Sequence, residues 1–288
     1  MTIKTILVPM NAATSDPGTL DLALQVARPR QAHLRVVFVR PDPRDIALYS
    51  GFGAEGVGLG YLVAQMEKEG AEARTRARKA FEDWCARNEI SENAATPGST
   101  RVSASWHDEI GNVDQVVPRI GGLSDLIVET GLHDRDLPYE QTTIEASLFG
   151  TGRPVLVAPK TLPSDLGHTA MIAWNGSREA NRAVGAALEL LAACKKVLIF
   201  CEQEGGRRDA DPADLVSFLA WHGIPAYHVP TVRATGPIGP NLLALSERER
   251  VSLLVMGAFT HGRFREMVLG GVTDHVLRKA SMPVLLTH

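Results

Sequence analysis

The chain repeats itself at long range, and that repeat constrains the fold more than any motif. "TILVPMNAATSDPGTLDLALQVA" begins at Thr5 and "TAMIAWNGSREANRAVGAALELLA" begins at Thr169. Each is a short apolar run, then an Asn (Asn11, Asn175), then small and polar residues, then helical periodicity. In the first helix Leu20, Ala23, Leu24 and Ala27 share a face; in the second, Ala180, Val184, Ala187, Leu188 and Leu191 do. Asp16 before Pro17 and Ser177 before Arg178 are expected N-caps. The two halves also end alike. "DLIVETGL" at Asp125 matches "SLLVMGAF" at Ser252, and "GRPVLVAPK" at Gly152 matches "SMPVLLTH" at Ser281. Solenoid units run to roughly 20–50 residues, so a repeat this long means duplicated domains.

Within each half the order reads β-α-β-α-β-α-β-α-β. Strands are expected near 4–10, 33–40, 101–107, 125–130 and 154–158, then 169–174, 196–201, 226–231, 252–256 and 283–287. Second-half helices are expected near 178–193, 212–222, 239–249 and 272–280. In the first half Leu62, Met66, Ala73, Ala77, Phe81 and Trp84 form one long helical stripe reaching about Asn88. Continuous apolar runs such as "KVLIF" and "SLLVM" suit parallel strands covered on both faces. The fold class is therefore α/β, two doubly wound five-stranded parallel-sheet domains in tandem. Their expected bounds are 1–160, with an insertion at 41–61, and 169–288. "PKTLPSDLGH", rich in Pro and Gly, holds the linker at 161–168. In such sheets ligands bind outside the carboxyl ends of the strands, at the switch point. The equivalent terminal strands, 154–158 and 283–287, are short and apolar, and their exposed edges need a partner.

At 288 residues the chain accommodates two such domains, and a net charge of −3 gives no basic excess for nucleic acid or acidic membrane. No apolar run approaches the roughly 20 residues of a membrane span. Met1-Thr2-Ile3-Lys4 leads straight into a strand-like run without a signal peptide, so a cytoplasmic location is expected. Cys85, Cys194 and Cys201 are odd in number and widely spaced, which suits buried thiols rather than a disulfide framework or zinc ribbon.

"AMIAWNGSREANRAVGAALELL", the "LLVMGA" strand-to-glycine junction, "LGGVTDHVL" and the final "SMPVLLTH" together resemble the universal stress protein family. The order of the first half fits the same family, so the resemblance covers nearly the whole chain as a tandem pair. It implies Rossmann-like domains of the adenine nucleotide alpha hydrolase type. One branch of the family binds ATP or another adenine nucleotide and another does not. The resemblance also implies an internal pseudo-dimer in which strands 154–158 and 283–287 pair antiparallel, with a dimer of pseudo-dimers as any higher assembly. Nucleotide-binding members carry an aspartate at the end of the first strand and G-x-x-G-x9-G-[ST] after the fourth. In this chain the aspartate position falls on Asn175, and the loop positions fall on Gly257, Thr260, Gly270 and Gly271. Trp174, Met256, Val272 and Thr273 flank them and complete the implied binding set.

Three of those positions depart from the pattern. Thr260 carries a Cβ where backbone should approach phosphate, and Gly262 does not repair it. Gly271 lacks the hydroxyl. Asn175 can bond a ribose hydroxyl only without charge assistance. In the first half the glycine positions fall on Thr130, His133 and Thr143, and Asn11 again replaces the acid, so a phosphate cradle is not expected there. His261, Arg263 and Arg265 are the side chains expected to meet an anion after the Gly270 and Gly271 amides. The cofactor is left unknown, with ATP or AMP as a weak ligand. "GFGAEG" at Gly51 is a GxGxxG without the strand and helix that would give it meaning, and reads as an insertion placed to act as a lid. "HDRD" at His133, Asp134 and Asp136 reads as a solvated loop rather than a metal site. No Ser-His-Asp order, HExxH or GxSxG is present, so no catalytic or metal residue is assigned. The expectation is a stress-response or sensing protein that binds a ligand or partner without robust turnover. The alternative is a nucleotide-binding enzyme of the same α/β superfamily, an ATP hydrolase or nucleotidyl transferase. Against it stands a loop whose only carboxylate is Glu266.

Overall fold

The computed structural model describes residues 2–11, 17–43, 57–92, 98, 100–132, 138–201, 211–230, 236–258 and 271–288. The first half holds strands β1 (Thr5–Met10), β2 (His33–Arg40), β3 (Ser91–Glu92), β4 (Ser103–Ile110), β5 (Leu126–Glu129) and β6 (Val155–Val157). Its helices are α1 (Pro17–Ala27), α2 (Val57–Arg87), α3 (Val113–Gly121) and α4 (Pro138–Gly150). The second half holds β7 (Thr169–Ala173), β8 (Lys196–Phe200), β9 (Ala226–His228), β10 (Leu253–Gly257) and β11 (Val284–Thr287). Between these strands run α5 (Arg178–Leu191), α6 (Pro212–Trp221), α7 (Ile238–Arg248) and α8 (Gly271–Lys279).

All eleven strands form one sheet in the order β3-β4-β2-β1-β5-β6-β11-β10-β7-β8-β9. Within each half every pairing is parallel. The reversal comes at the seam, where β6 and β11 pair antiparallel through Val157↔Val284, Leu156↔Leu285 and Val155↔Leu286. These are the two strands for which the family resemblance implies that pairing. Their side chains are fully buried or nearly so, which removes two apolar edges at once.

The apolar strand runs bury on both faces. On one face α1, α2 and α5 cover Ile6, Val8, Leu34, Val36, Ile172 and Val255; on the other α3, α4, α7 and α8 cover Leu7, Val37, Ile127, Met171, Leu254 and Leu286. The α2 stripe buries Ala73, Ala77, Phe81 and Trp84, while Arg78–Glu82 and Lys79–Asp83 pairs face outward one turn apart. The linker is packed in place. Pro163 O accepts from Gln25 Nε2 of the first half at 3.2 Å, and Leu166 O accepts from Ser252 Oγ of the second at 3.0 Å. Arg30 and Glu189 form an ion pair across the halves at 3.0 Å.

Three expectations change. The first half gains β3, so it carries six strands and not five among the described residues, because the chain leaving α2 runs briefly beside β4. The strand expected at 101–107 occupies Ser103–Ile110, since β2 continues to Arg40 and pairs Arg40 with Ile110. The insertion expected to reach 61 is already helical from Val57. The GxGxxG run at 51–56 lies outside the described residues, as does Asp16. None of the three cysteines is in a disulfide, with Cys85 and Cys201 buried and Cys194 half-buried.

Candidate functional site

The second-half rim is built where β7 and β10 end beside the first turn of α5. After Ala173 the chain turns through Asn175, Gly176 and Ser177. Asn175 Oδ1 accepts from the Ser177 N–H at 3.1 Å, closing an Asx turn, and Gly176 sits at φ +76°, where a Cβ would be strained. Ser177 then caps α5, its Oγ accepting from Ala180 N at 3.2 Å. The second glycine of the set, Gly257, closes β10 against this helix start. A Cβ there would stand 2.5 Å from Ala180 N and 2.6 Å from Glu179 C. Glycine at 257 is thus required by helix–strand packing before any ligand is considered. Thr287 Oγ1 donates to Glu179 O at 3.0 Å, so β11 holds the same turn from its other side.

The structure therefore brings Asn175, Ser177 and Gly257 together around the start of α5. It assigns two other residues of the set to the interior. Trp174 is 8 % exposed, packed in the core, with its indole N–H donated to Asn181 Oδ1 at 2.8 Å. That placement makes it a core residue rather than a stacking platform. Met256 is buried among Leu254, Leu286 and Val276. Gly271 begins α8 and is exposed, with no described atom within 4 Å of an added Cβ. Val272 is half-buried and Thr273 buried. Thr260 and Gly270 lie outside the described residues, and so do Gly262, His261, Arg263, Arg265 and Glu266. The Asx turn has a chemical consequence. With one lone pair of Oδ1 committed to Ser177, the exposed Asn175 side chain offers a ligand its N–H donors and a shared neutral oxygen, where an aspartate would keep a second, charged acceptor.

The first-half rim differs in kind. A narrow cleft with room for about one water molecule lies at the carboxyl ends of β1 and β5. Asn11, Val39, Val113, Glu129, Thr130 and Thr143 are among its walls. Glu129 is 3 % exposed at the end of β5, and burial pushes its carboxyl up to about 8. The Ser147 hydroxyl of α4, itself fully buried, donates to it and acts in the opposite direction, more weakly. Beside it Thr19 and Thr130 share a hydroxyl–hydroxyl bond at 2.9 Å. Glu129 was missed at the sequence level although a signal existed. In the internal repeat it stands where Met256 does, a lone carboxyl closing an otherwise apolar strand. His133, Asp134 and Asp136 lie outside the described residues. Among the described residues no group of three or more His, Cys, Asp or Glu could hold a metal ion. Among them, too, no helix is long and apolar enough to cross a membrane.

An open doubly wound sheet with glycine-bearing strand ends at a helix start defines the class: a Rossmann-like α/β protein of the kind that binds ligands at its carboxyl rim. Comparison with known proteins narrows this. Residues 218–288 match the universal stress protein family. A curated relative, a universal stress protein of Synechocystis sp., is 46% identical over 44 residues, which span 15% of this chain and 15% of that protein. Over the whole chain the fold is that of a universal stress protein from Archaeoglobus fulgidus, with a TM-score of 0.65 at 15% identity, covering 98% of this chain and 97% of the other. A crystal structure described as a putative universal stress protein from Pseudomonas aeruginosa gives a TM-score of 0.55 at 14% identity, covering 99% and 93%.

Proposed function

We propose that the protein is a tandem universal stress protein, residues 1–160 and 169–288 forming an internal pseudo-dimer, that acts in the cytoplasm by binding a ligand or partner without turnover. Its second half takes a weak or altered ligand, a nucleoside monophosphate or a small anion in preference to tight ATP. The observation that carries this reading is the Asn175–Ser177 turn. It engages one lone pair of the Asn175 oxygen and leaves a ribose hydroxyl a neutral, shared acceptor in place of a free carboxylate oxygen. The Ser177-capped start of α5 supports it, because a helix N-terminus favours a negative group by roughly 0.3–1 kcal/mol. Loss of one charge-assisted hydrogen bond costs about 1.5–3 kcal/mol, a tenfold or greater loss of affinity. At the first-half rim Thr130 and Thr143 stand where the cradle would need glycine, so no phosphate cradle is proposed there. The test is calorimetric titration with ATP and Mg²⁺, and separately with AMP, at physiological salt, followed by a phosphate-release assay. Millimolar or substoichiometric ATP binding without phosphate release is the expected result. Sub-micromolar ATP binding, or steady turnover, would overturn it in favour of the nucleotide-binding enzyme.

A further inference from the structure

Away from both rims, the outer strands of the first half carry a polar cluster on one face of the sheet. Side chains two apart on a strand share a face, and paired residues on neighbouring strands stand side by side. The β2–β4 register pairs His33 with Ser103, Arg35 with Ser105 and Val37 with His107, so all six residues lie on the same face. The imidazoles are linked through hydroxyls. His33 Nδ1 meets Ser103 Oγ at 2.9 Å, His33 Nε2 meets Ser105 Oγ at 2.9 Å, and Ser105 Oγ meets His107 Nε2 at 3.1 Å. Arg35 lies between them in register and makes no hydrogen bond or ion pair with any described residue, and its Nε is buried.

A guanidinium with five donors and a buried, unmet N–H is costly unless something completes it. The nearby carboxylates are occupied elsewhere. Asp108 holds Arg74 of α2 at 2.7 Å, and Glu109 holds Arg119 of α3 at 2.7 Å. The second half provides an internal control. There β7 pairs Met171 with Leu198 as β1 pairs Leu7 with Arg35, so Leu198 occupies the arginine's place, 3 % exposed in the core. The His33 position is Lys196, whose ammonium is neutralised by Glu249 at 3.0 Å. Packing at this place is thus satisfied by leucine, and a cation beside it has a counter-ion. The first half has the cation and two imidazoles without one.

We infer that this face of β2 and β4 is a binding site for a tetrahedral oxyanion, an inorganic phosphate or sulfate or the phosphate end of a small ester, held by Arg35 and the His107 imidazole, with His33 beside them adding charge when protonated. Burial lowers the His33 pKa first, with the positive His107 and Arg35 acting in the same direction. Burial also leads at His107, joined by Arg35 and opposed by Glu109 and Asp108. A bound dianion offsets the cationic repulsion, so both imidazoles gain basicity on binding and affinity rises as pH falls.

The test is NMR of the His33 and His107 ring protons in the full-length protein, titrated with inorganic phosphate and, in a second arm, with glycerol phosphate. Saturable shifts are expected, with both imidazole pKa values raised by about one unit and tighter binding at pH 6 than at pH 8. Arg35→Gln should weaken the response at least about tenfold, and His107→Gln, an exposed position, should weaken it without risk to the fold. A response to inorganic phosphate alone, or to both probes, supports the site and tells free anion from ester. Absence of saturable shifts at tens of millimolar phosphate, or unchanged binding in both variants, would overturn it. These rings report locally, so phosphate bound at the second-half rim leaves them unmoved, and the two sites succeed or fail separately.

Discussion

Glu129 makes stability depend on pH in a direction opposite to that of most carboxylates. Its side chain is fully buried, and the carboxyl is raised from 4.5 to about 8. In the unfolded chain the same group ionises near 4.5. Below that pH both states hold the proton and the group costs nothing. Above it the unfolded state gains from ionising while the folded state keeps a neutral acid. The folded protein therefore loses stability progressively from about pH 4.5 to about pH 8, then levels off. At 1.36 kcal/mol per pKa unit the full loss is about 4–5 kcal/mol. Glu129→Gln keeps the shape and the capacity to accept from Ser147 but removes the titration. Urea unfolding at pH 4.5, 6, 7.5 and 8.5 should show the variant equal to or slightly below wild type at pH 4.5. By pH 8.5 it should be several kcal/mol more stable. Parallel stability–pH curves for the two proteins would refute the buried neutral acid.

Gly257→Ala drives a Cβ to 2.5 Å from the Ala180 amide, and overpacking against backbone costs about 1–3 kcal/mol, so melting should fall by roughly 2–5 °C in differential scanning fluorimetry with no ligand present. An unchanged melting temperature would return that glycine to a purely ligand-facing role. Asn175→Asp keeps the acceptor for the Ser177 N–H and adds a second, charged oxygen, so ATP affinity should rise about tenfold in calorimetry. Ligand binding that stays the same would remove position 175 from the site. Burial pushes the Cys85 and Cys194 thiols up to about 11, so both should react with a thiol reagent at pH 8 only slowly, and rapid labelling of the native protein would contradict their placement.

The periodic elements were legible because their causes are local. The run of Ile6, Leu7 and Val8 and its counterpart Met171 and Ile172 announce strands buried on both faces, and the Phe81–Trp84 stripe announces a helix. The seam was expected from the family resemblance, on two similar short apolar strands, Val155–Val157 and Val284–Thr287. Strand β3 could not. Two residues, Ser91 and Glu92, have no periodicity to detect, and their pairing depends on where β4 lies. At the rims, residue types indicated which positions end strands but not what each side chain does there. Trp174 turns inward because Asn181, one helical turn into α5, accepts its indole N–H. Gly257 answers to the approach of Ala180, a contact between segments some eighty residues apart. Glu129 and Arg35 stand out only when the two halves are compared position by position and one is found polar where the other is apolar.

The antiparallel seam consists of three residue pairs, too short a ladder to hold two separate chains together in water. Here the strands belong to one polypeptide, and the linker is fastened to both sides through Gln25 and Ser252. Tethering replaces a bimolecular encounter by an effective concentration in the millimolar range or above, so the ladder forms whatever the amount of protein in solution. It also fixes who pairs with whom. A strand that meets an identical copy must be self-complementary, whereas Val155–Val157 need only suit Val284–Leu286. Each half is thereby released from matching its twin. One rim can keep a glycine-lined helix start while the other acquires a buried acid, and dilution cannot undo the combination.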